Sequence, residues 1–311
     1  MSLRSPERVR LRAPTVRPES FAGLMLRTGR NAMRHRTTGH AAEMAFFAVL
    51  TLVPSTVAVG SALALTEPLI GEGVVAEAER GAIRAVRTLI GPELTDAVVG
   101  PFVSAQLDQP RGGVALVGLL IAWWLASHLF AATAHALDVA YGVEDRRRSF
   151  KQRLIALGFA LVSVGVVAAT VQFMVTGPLG SRGGVAREVG LGDAYMAMWS
   201  VVRWPLLLVI VVAFLACMYR FGPNVRQSFR DCLPGAFVGA LLWIGAAAFF
   251  RGTAALGLRG SSGVANDDPA VHIIGQSVNA VVATVLWAYL ASIAILLGGE
   301  FNAALRARRS E

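Results

Sequence analysis

Three ionisable residues, His128, His135 and Asp138, follow one another at spacings of seven and three inside a stretch otherwise suited to lipid, "GGVALVGLLIAWWLASHLFAATAHALDVAYG" from Gly112 onward. At helical periodicity they share one face and step toward one end, and His135 and Asp138 are near enough to hydrogen-bond. Ionisable groups in a bilayer are costly, so the face reads either as a proton- or ion-linked relay or as polar glue between helices, with Asp138 near headgroup depth. A fourth group, Glu43, opens "AAEMAFFAVLTLVPSTVAVGSALALT" (41–66), which is uncharged from Met44 to Thr66. The positive end of a helix dipole favours a carboxylate in the first turn. The expected depth of Glu43 matches that of Asp138 on an antiparallel neighbour, with His135 about one turn deeper. Glu43 is then either an interfacial cap or half of a gate with His135, whose imidazole titrates near neutral pH.

Uncharged polar residues form a second group. Gln172 and Thr176, with Gln276, Ser277, Asn279 and Thr284, fall in the outer halves of two apolar segments. They would line an outward-opening cavity or serve as ordinary packing glue. Gly235 and Gly239 in "GAFVG" mark close helix approach.

The elements that must position these residues follow from composition. The chain has 311 residues, 55% of them hydrophobic and only 16% charged, with a mean hydropathy of +0.56. A soluble protein usually carries about 25% charged residues. A hydrocarbon core roughly 30 Å thick needs about 20 apolar residues in a helix. Six segments meet or approach that length, at about 41–66, 112–141, 154–178, 200–219, 233–250 and 273–299. The expected fold is all-α: a polytopic membrane protein with six transmembrane helices in a 41–305 domain. The fourth span is expected to start near Ser200, with Arg203 snorkelling beside Trp199 and Trp204.

Residues 1–40 hold nine arginines and read as a flexible basic tail, and 306–311 as a short second one. In the segment 67–111, Val75, Ala78, Ala82, Val86, Leu89 and Ile90 recur at helical spacing opposite Glu77, Arg80, Arg84 and Arg87, which predicts an amphipathic helix over 72–99. Twenty of the 29 basic residues fall in the tail, the 143–153 loop, the 220–232 loop and the C-terminus. Basic residues gather on the cytoplasmic side, so both termini are expected inside and 67–111 outside. Arg146, Arg147 and Arg148, with Arg220, Arg226 and Arg230, would face anionic headgroups, although ordinary topology accounts for them equally well.

Several chemistries lack their residues. The five histidines show no metal-binding spacing, no Ser stands in a GxSxG context, and the lone Lys151 follows "RRSF", so no phosphate-cradling GxxxxGK[ST] loop exists. No metal or cofactor is expected, and no enzymatic activity. Cys217 and Cys232 make no CxxC pair and read as free thiols.

Four stretches taken together, "AAEMAFFAVLTLVPS", "HALDVAYGVEDRRRSFKQRLIAL", "YRFGPNVRQSFRDCLPGAFVGALLW" and "LWAYLASIAILLGGEFNAAL", resemble consecutive signature regions of the YihY/BrkB family over roughly residues 25 to 305. The resemblance implies a six-helix bacterial inner-membrane protein, linked loosely to serum resistance and envelope lipid handling and once labelled ribonuclease BN. Glu300 and Asn302 match the family's closing motif; a Glu at a helix C-terminus opposes the dipole, so an arginine partner from a basic loop is expected. Two places depart: Glu43 stands where many relatives carry a small or apolar residue, and "HIIGQSVNA" replaces a Tyr-Gly-Ser-Leu-Gly-like entry to the last helix.

The expectation is a multi-pass inner-membrane protein that moves or handles an envelope lipid or another amphipathic or anionic solute, with any energy coupling through Glu43 and the His128/His135/Asp138 face. The competing readings are a non-transporting scaffold and, last, a membrane-tethered ribonuclease. Membrane lipids are the expected partners, a homo-oligomer is left open, and no specific nucleic acid is expected.

Overall fold

The computed structural model describes residues 21–70, 112–143, 149–176, 192–225, 227–255 and 269–310. Every regular element among them is helical: α1 (Phe21–Arg34), α2 (Thr37–Ile70), α3 (Gly112–Ala140), α4 (Ser149–Thr176), α5 (Gly192–Phe221), α6 (Phe229–Ala255) and α7 (Pro269–Ser310). Each expected apolar segment falls within one of α2–α7, apart from a residue or two at the ends. In hydrocarbon a backbone must satisfy its own hydrogen bonds, and a helix does so within one segment. Among the described residues four stretches are long and apolar enough to cross a membrane: Leu116–Ala140, Ala197–Phe221, Phe229–Phe250 and Val281–Arg309. The amphipathic helix expected over 72–99, together with Arg146, Arg147, Arg148 and Arg226, lies outside the described residues. The side chains of Gln172, Gln276 and Asn279 lie outside them too.

Helix α2 packs along α3, and α6 along α7; α7 also meets α2, α5 meets α6, and α4 meets α3. The buried positions are dominated by small residues, among them Ala132, Ala136, Ala160, Ala236, Ala240 and Ala294, which let helix backbones approach. The outward faces carry large apolar side chains such as Leu116, Leu161, Val209, Phe237 and Val281. That inversion, small inside and large outside, suits a lipid solvent.

Three boundaries differ from expectation. Residues 21–34 of the presumed flexible tail form α1, whose Leu24 is buried against Phe301 and Ala304 of α7. The count of arginines in the tail hid this amphipathic pattern. Helix α5 starts at Gly192, ahead of the start expected near Ser200; Arg203 lies inside it with its guanidinium 5.5 Å from the Trp204 ring centre, and Trp199 is buried. Helix α7 continues to Ser310, which puts Glu300 in mid-helix and removes the dipole conflict expected at a C-terminus.

The helix ends are set locally. At the end of α3 Gly142 takes φ 64°, with Gly142 N–H donating to Val139 O and Val143 N–H to Asp138 O, a Schellman closure. At the start of α6 the Asp231 carboxylate accepts from the Ser228 N–H, and the Asp231 N–H donates to the Ser228 carbonyl. Between α1 and α2, Arg36 adopts φ 54° and turns the chain.

Candidate functional site

The polar residues converge where the first turn of α2, the last turn of α3, the α5–α6 connection and residues 298–302 of α7 meet. Asp138 is almost fully buried, and its Oδ1 accepts a hydrogen bond from the Asn224 backbone N–H at 2.6 Å. The carboxylate therefore fastens the 222–225 turn to the end of α3. Tyr219, fully buried, donates its hydroxyl to Ile295 O of α7 at 2.5 Å. Asn302 accepts from Gly235 N–H at 2.7 Å and donates to Cys232 O at 2.9 Å, so one buried amide bridges α7 to the start of α6.

Glu300 is the other buried carboxylate. Its Oε1 pairs with His35 Nδ1 at 2.8 Å and accepts from the Thr37 hydroxyl at 3.2 Å, whereas Oε2 has no partner among the described residues. Its partners come from the α1–α2 turn, not from an arginine of a basic loop. Beside it runs a narrow crevice lined by His35, Thr37, His40, Leu137, Leu296 and Glu300.

The four residues expected to form a relay separate into three places. His135 meets the His40 ring edge-on at 5.5 Å between centroids, and His40 Nδ1 lies 3.9 Å from Glu43 Oε2. Glu43 is half exposed and reaches His135 by way of His40. His128 lies two helical turns away, stacked on Phe47 at 5.1 Å, its Nε2 accepting from the Arg153 guanidinium at 3.1 Å. Asp138 faces the 222–225 turn, and no hydrogen bond joins it to His135 among the described residues. Sequence reasoning missed His35, Thr37, His40 and Arg153. A signal for His40 was present in its i,i+3 relation to Glu43.

Arg153 of α4 lies against α3. Its guanidinium sits 4.0 Å above the Trp124 ring centre and within hydrogen-bond distance of His128, with Trp124 and Leu154 exposed around it. Trp123 Nε1 donates to Leu157 O at 3.1 Å and fixes α4 against α3 at that level. Arg220, one of the expected headgroup contacts, is instead folded inward: it donates to Gln227 O and lies 4.6 Å from the Phe229 ring centre. Arg230 is exposed.

Burial and the neighbouring His135 push the His40 pKa below its ordinary 6.5, Arg36 adds to this, and Glu43 opposes it. A histidine whose folded pKa is depressed takes up protons more readily in the unfolded chain, so stability is full above about pH 6.5 and falls as the pH drops through that value. Thermal melts in detergent should show the wild-type midpoint dropping between pH 7.5 and 5, and His40→Gln losing part of that slope. An identical slope in the variant would remove His40 from the titration.

Residues 28–311 match the family profile described as virulence factor BrkB. The chain belongs to that family. Among relatives, the ribonuclease-like protein YfkH of Bacillus subtilis is 27% identical over 278 residues, covering 88% of this chain and 92% of its own length. A UPF0761 membrane protein of Photobacterium profundum is 23% identical over 283 residues, 90% of this chain and 80% of that one. A class G tetracycline resistance protein of Vibrio anguillarum shares 31% identity over 151 residues, 44% of this chain. No solved structure matches. The BrkB resemblance expected from the four signature stretches is thus shown, and with it a bacterial membrane protein. The ribonuclease-like wording is part of one relative's name; among the described residues no three His, Cys, Asp or Glu side chains group to hold a metal ion.

Proposed function

We propose that this BrkB-family protein crosses the inner membrane six times with both termini inside, and handles an envelope lipid or another amphipathic anionic solute. The observation that carries this reading is the Arg153 station: a cation held over Trp124 and against His128 on an apolar, outward-facing surface. A guanidinium in such a setting offers charge-assisted, geometrically matched donors to a phosphate, while the surrounding Leu and Trp surface suits acyl chains. Arg230, and the loop arginines Arg146, Arg147, Arg148 and Arg226, would add anionic-headgroup attraction. Glu43, His40 and His135 supply the proton-accepting groups for any coupling.

The test is reconstitution in liposomes with fluorescent phosphatidylglycerol, following its movement between leaflets. Arg153→Gln should slow movement roughly ten- to a hundredfold, since one charge-assisted contact is worth about 1.5–3 kcal/mol and about 1.4 kcal/mol is tenfold. His135→Ala should abolish movement with the fold intact. No movement by the wild-type protein over a broad lipid panel, with partner proteins co-purifying stoichiometrically, would favour the scaffold reading instead. That second reading draws on Asp138 and Asn302, whose side chains are spent on holding backbone groups of neighbouring segments.

A further inference from the structure

Helix α1 lies across the end of the bundle rather than along it. Leu24 packs on Phe301 and Ala304, whereas His35, eleven residues and about 16 Å of helical rise further on, bonds to Glu300. Those partners on α7 span only four residues, about 6 Å. A segment that advances so far while its contacts advance so little crosses α7 steeply. Since α7 runs with the bundle, α1 runs close to the plane perpendicular to it.

The two faces of α1 differ. Leu24 and Thr28 point inward, and the Thr28 hydroxyl is spent on Leu24 O. The opposite face carries Leu26, Arg30, Met33 and Arg34 at i, i+4, i+7 and i+8; Leu26 is 60% and Met33 80% exposed. Residues 21–40 contain four arginines and no carboxylate. On α6, Val238, which joins the Leu24 cluster, is flanked by the outward-facing Phe237 and Leu241, so α1 borders the lipid-facing wall.

We propose that the outer face of α1 is an interfacial surface that docks on anionic phospholipid, with Leu26 and Met33 entering the headgroup–acyl boundary and Arg30 and Arg34 at the phosphates. Alternation of arginine with apolar side chains on one face, in a helix lying in the plane, is what that boundary requires. Two apolar side chains fall well short of the roughly 800 Å² per partner of a stable protein interface, which argues against a second copy. The inference needs only that the chain is membrane-embedded; it holds whether or not lipid is transported.

The experiment uses the full-length protein, with Cys217 and Cys232 replaced by alanine, in nanodiscs of phosphatidylcholine with or without phosphatidylglycerol. An environment-sensitive fluorophore is attached at Met33→Cys, and lipids spin-labelled near the headgroup serve as quenchers. Blue-shifted emission and strong quenching are expected with phosphatidylglycerol. Arg30→Gln with Arg34→Gln should weaken the lipid-bound population, by roughly fivefold per arginine, while the melting midpoint stays unchanged. Water-like emission in both lipids would overturn the proposal. So would a shielded probe that lipid quenchers cannot reach, which would mean protein covers the face. Equal quenching in both lipids, insensitive to the arginine changes, would overturn the anionic recognition. Loss of lipid movement in the Arg153→Gln assay leaves this outcome untouched, so the two readings fail separately.

Discussion

Gly298→Ala is expected to destabilise the protein by about 3 kcal/mol, the upper end of the usual 1–3 kcal/mol for overpacking. A Cβ at residue 298 would stand 2.5 Å from the Tyr219 hydroxyl, 2.6 Å from Gly235 O and 2.9 Å from Gly239 Cα. Two of these three obstacles are backbone of α6, which cannot rotate aside. The third is the hydroxyl that bonds to Ile295 O, so relief in that direction gives up a buried hydrogen bond. The close approach runs both ways, since a Cβ at Gly235 would collide with Gly298 O and the Asn302 side chain. Gly158→Ala and Gly165→Ala in α4 are the controls, because nothing lies within 4 Å of either new Cβ. In a helix interior they should gain about 0.5–1 kcal/mol. Unfolding in mixed detergent micelles would compare them, and a Gly298→Ala variant as stable as Gly158→Ala would refute the packing account.

Asn302→Leu, which keeps the number of side-chain heavy atoms but is bulkier, should cost at least about 2–3 kcal/mol. The substitution leaves Gly235 N–H and Cys232 O without their side-chain partner, in a site where Asn302 itself is 2% exposed. An unsatisfied buried group costs about 1–3 kcal/mol, and single interhelical hydrogen bonds in membrane proteins average about 0.6 and reach about 1.7 kcal/mol, so two such losses set the figure. Pro234 raises the stakes at this point of α6, because it contributes no N–H of its own to the helix. Asn302→Asp keeps the acceptor for Gly235 N–H but removes the donor to Cys232 O and adds a buried charge; it should be no better than the leucine variant. If both variants melted with the wild type, Asn302 would not be holding α6 to α7.

The two sets of residues explain each other. Gly235, Gly239, Gly298 and Tyr219 bring α5, α6 and α7 together at the end where Glu300 and Asp138 are buried. Close backbone approach leaves little room there, and the side chains of Asp138, Tyr219 and Asn302 are each bonded to a backbone group of a neighbouring segment. Among the described residues four buried side-chain atoms lack a hydrogen-bond partner: Glu300 Oε2, Tyr141 Oη, Arg203 Nε and Arg220 Nε. The crevice beside Glu300 is lined by His35, Thr37 and His40 from the start of α2 and the turn before it.

The residue pattern alone determined that this chain is helical and built for lipid, and where α2 to α7 run. That information is local: the length of an apolar run against about 30 Å of hydrocarbon, at 1.5 Å per residue, decides it without reference to any neighbour. The four signature stretches likewise identified the family. The contents of the site were not legible in the same way. His35 and Glu300 are 265 positions apart, and Arg153 reaches His128 across 25, so their meeting depends on which helices adjoin and how far each is slid against the next. Spacing put His135 and Asp138 on one face of α3, but only tertiary packing gave His135 to His40 and Asp138 to the 222–225 turn. A helical face is about a third of a cylinder wide, and two helices can share it; the choice between them is made by small residues such as Gly298, which set how closely the backbones pass.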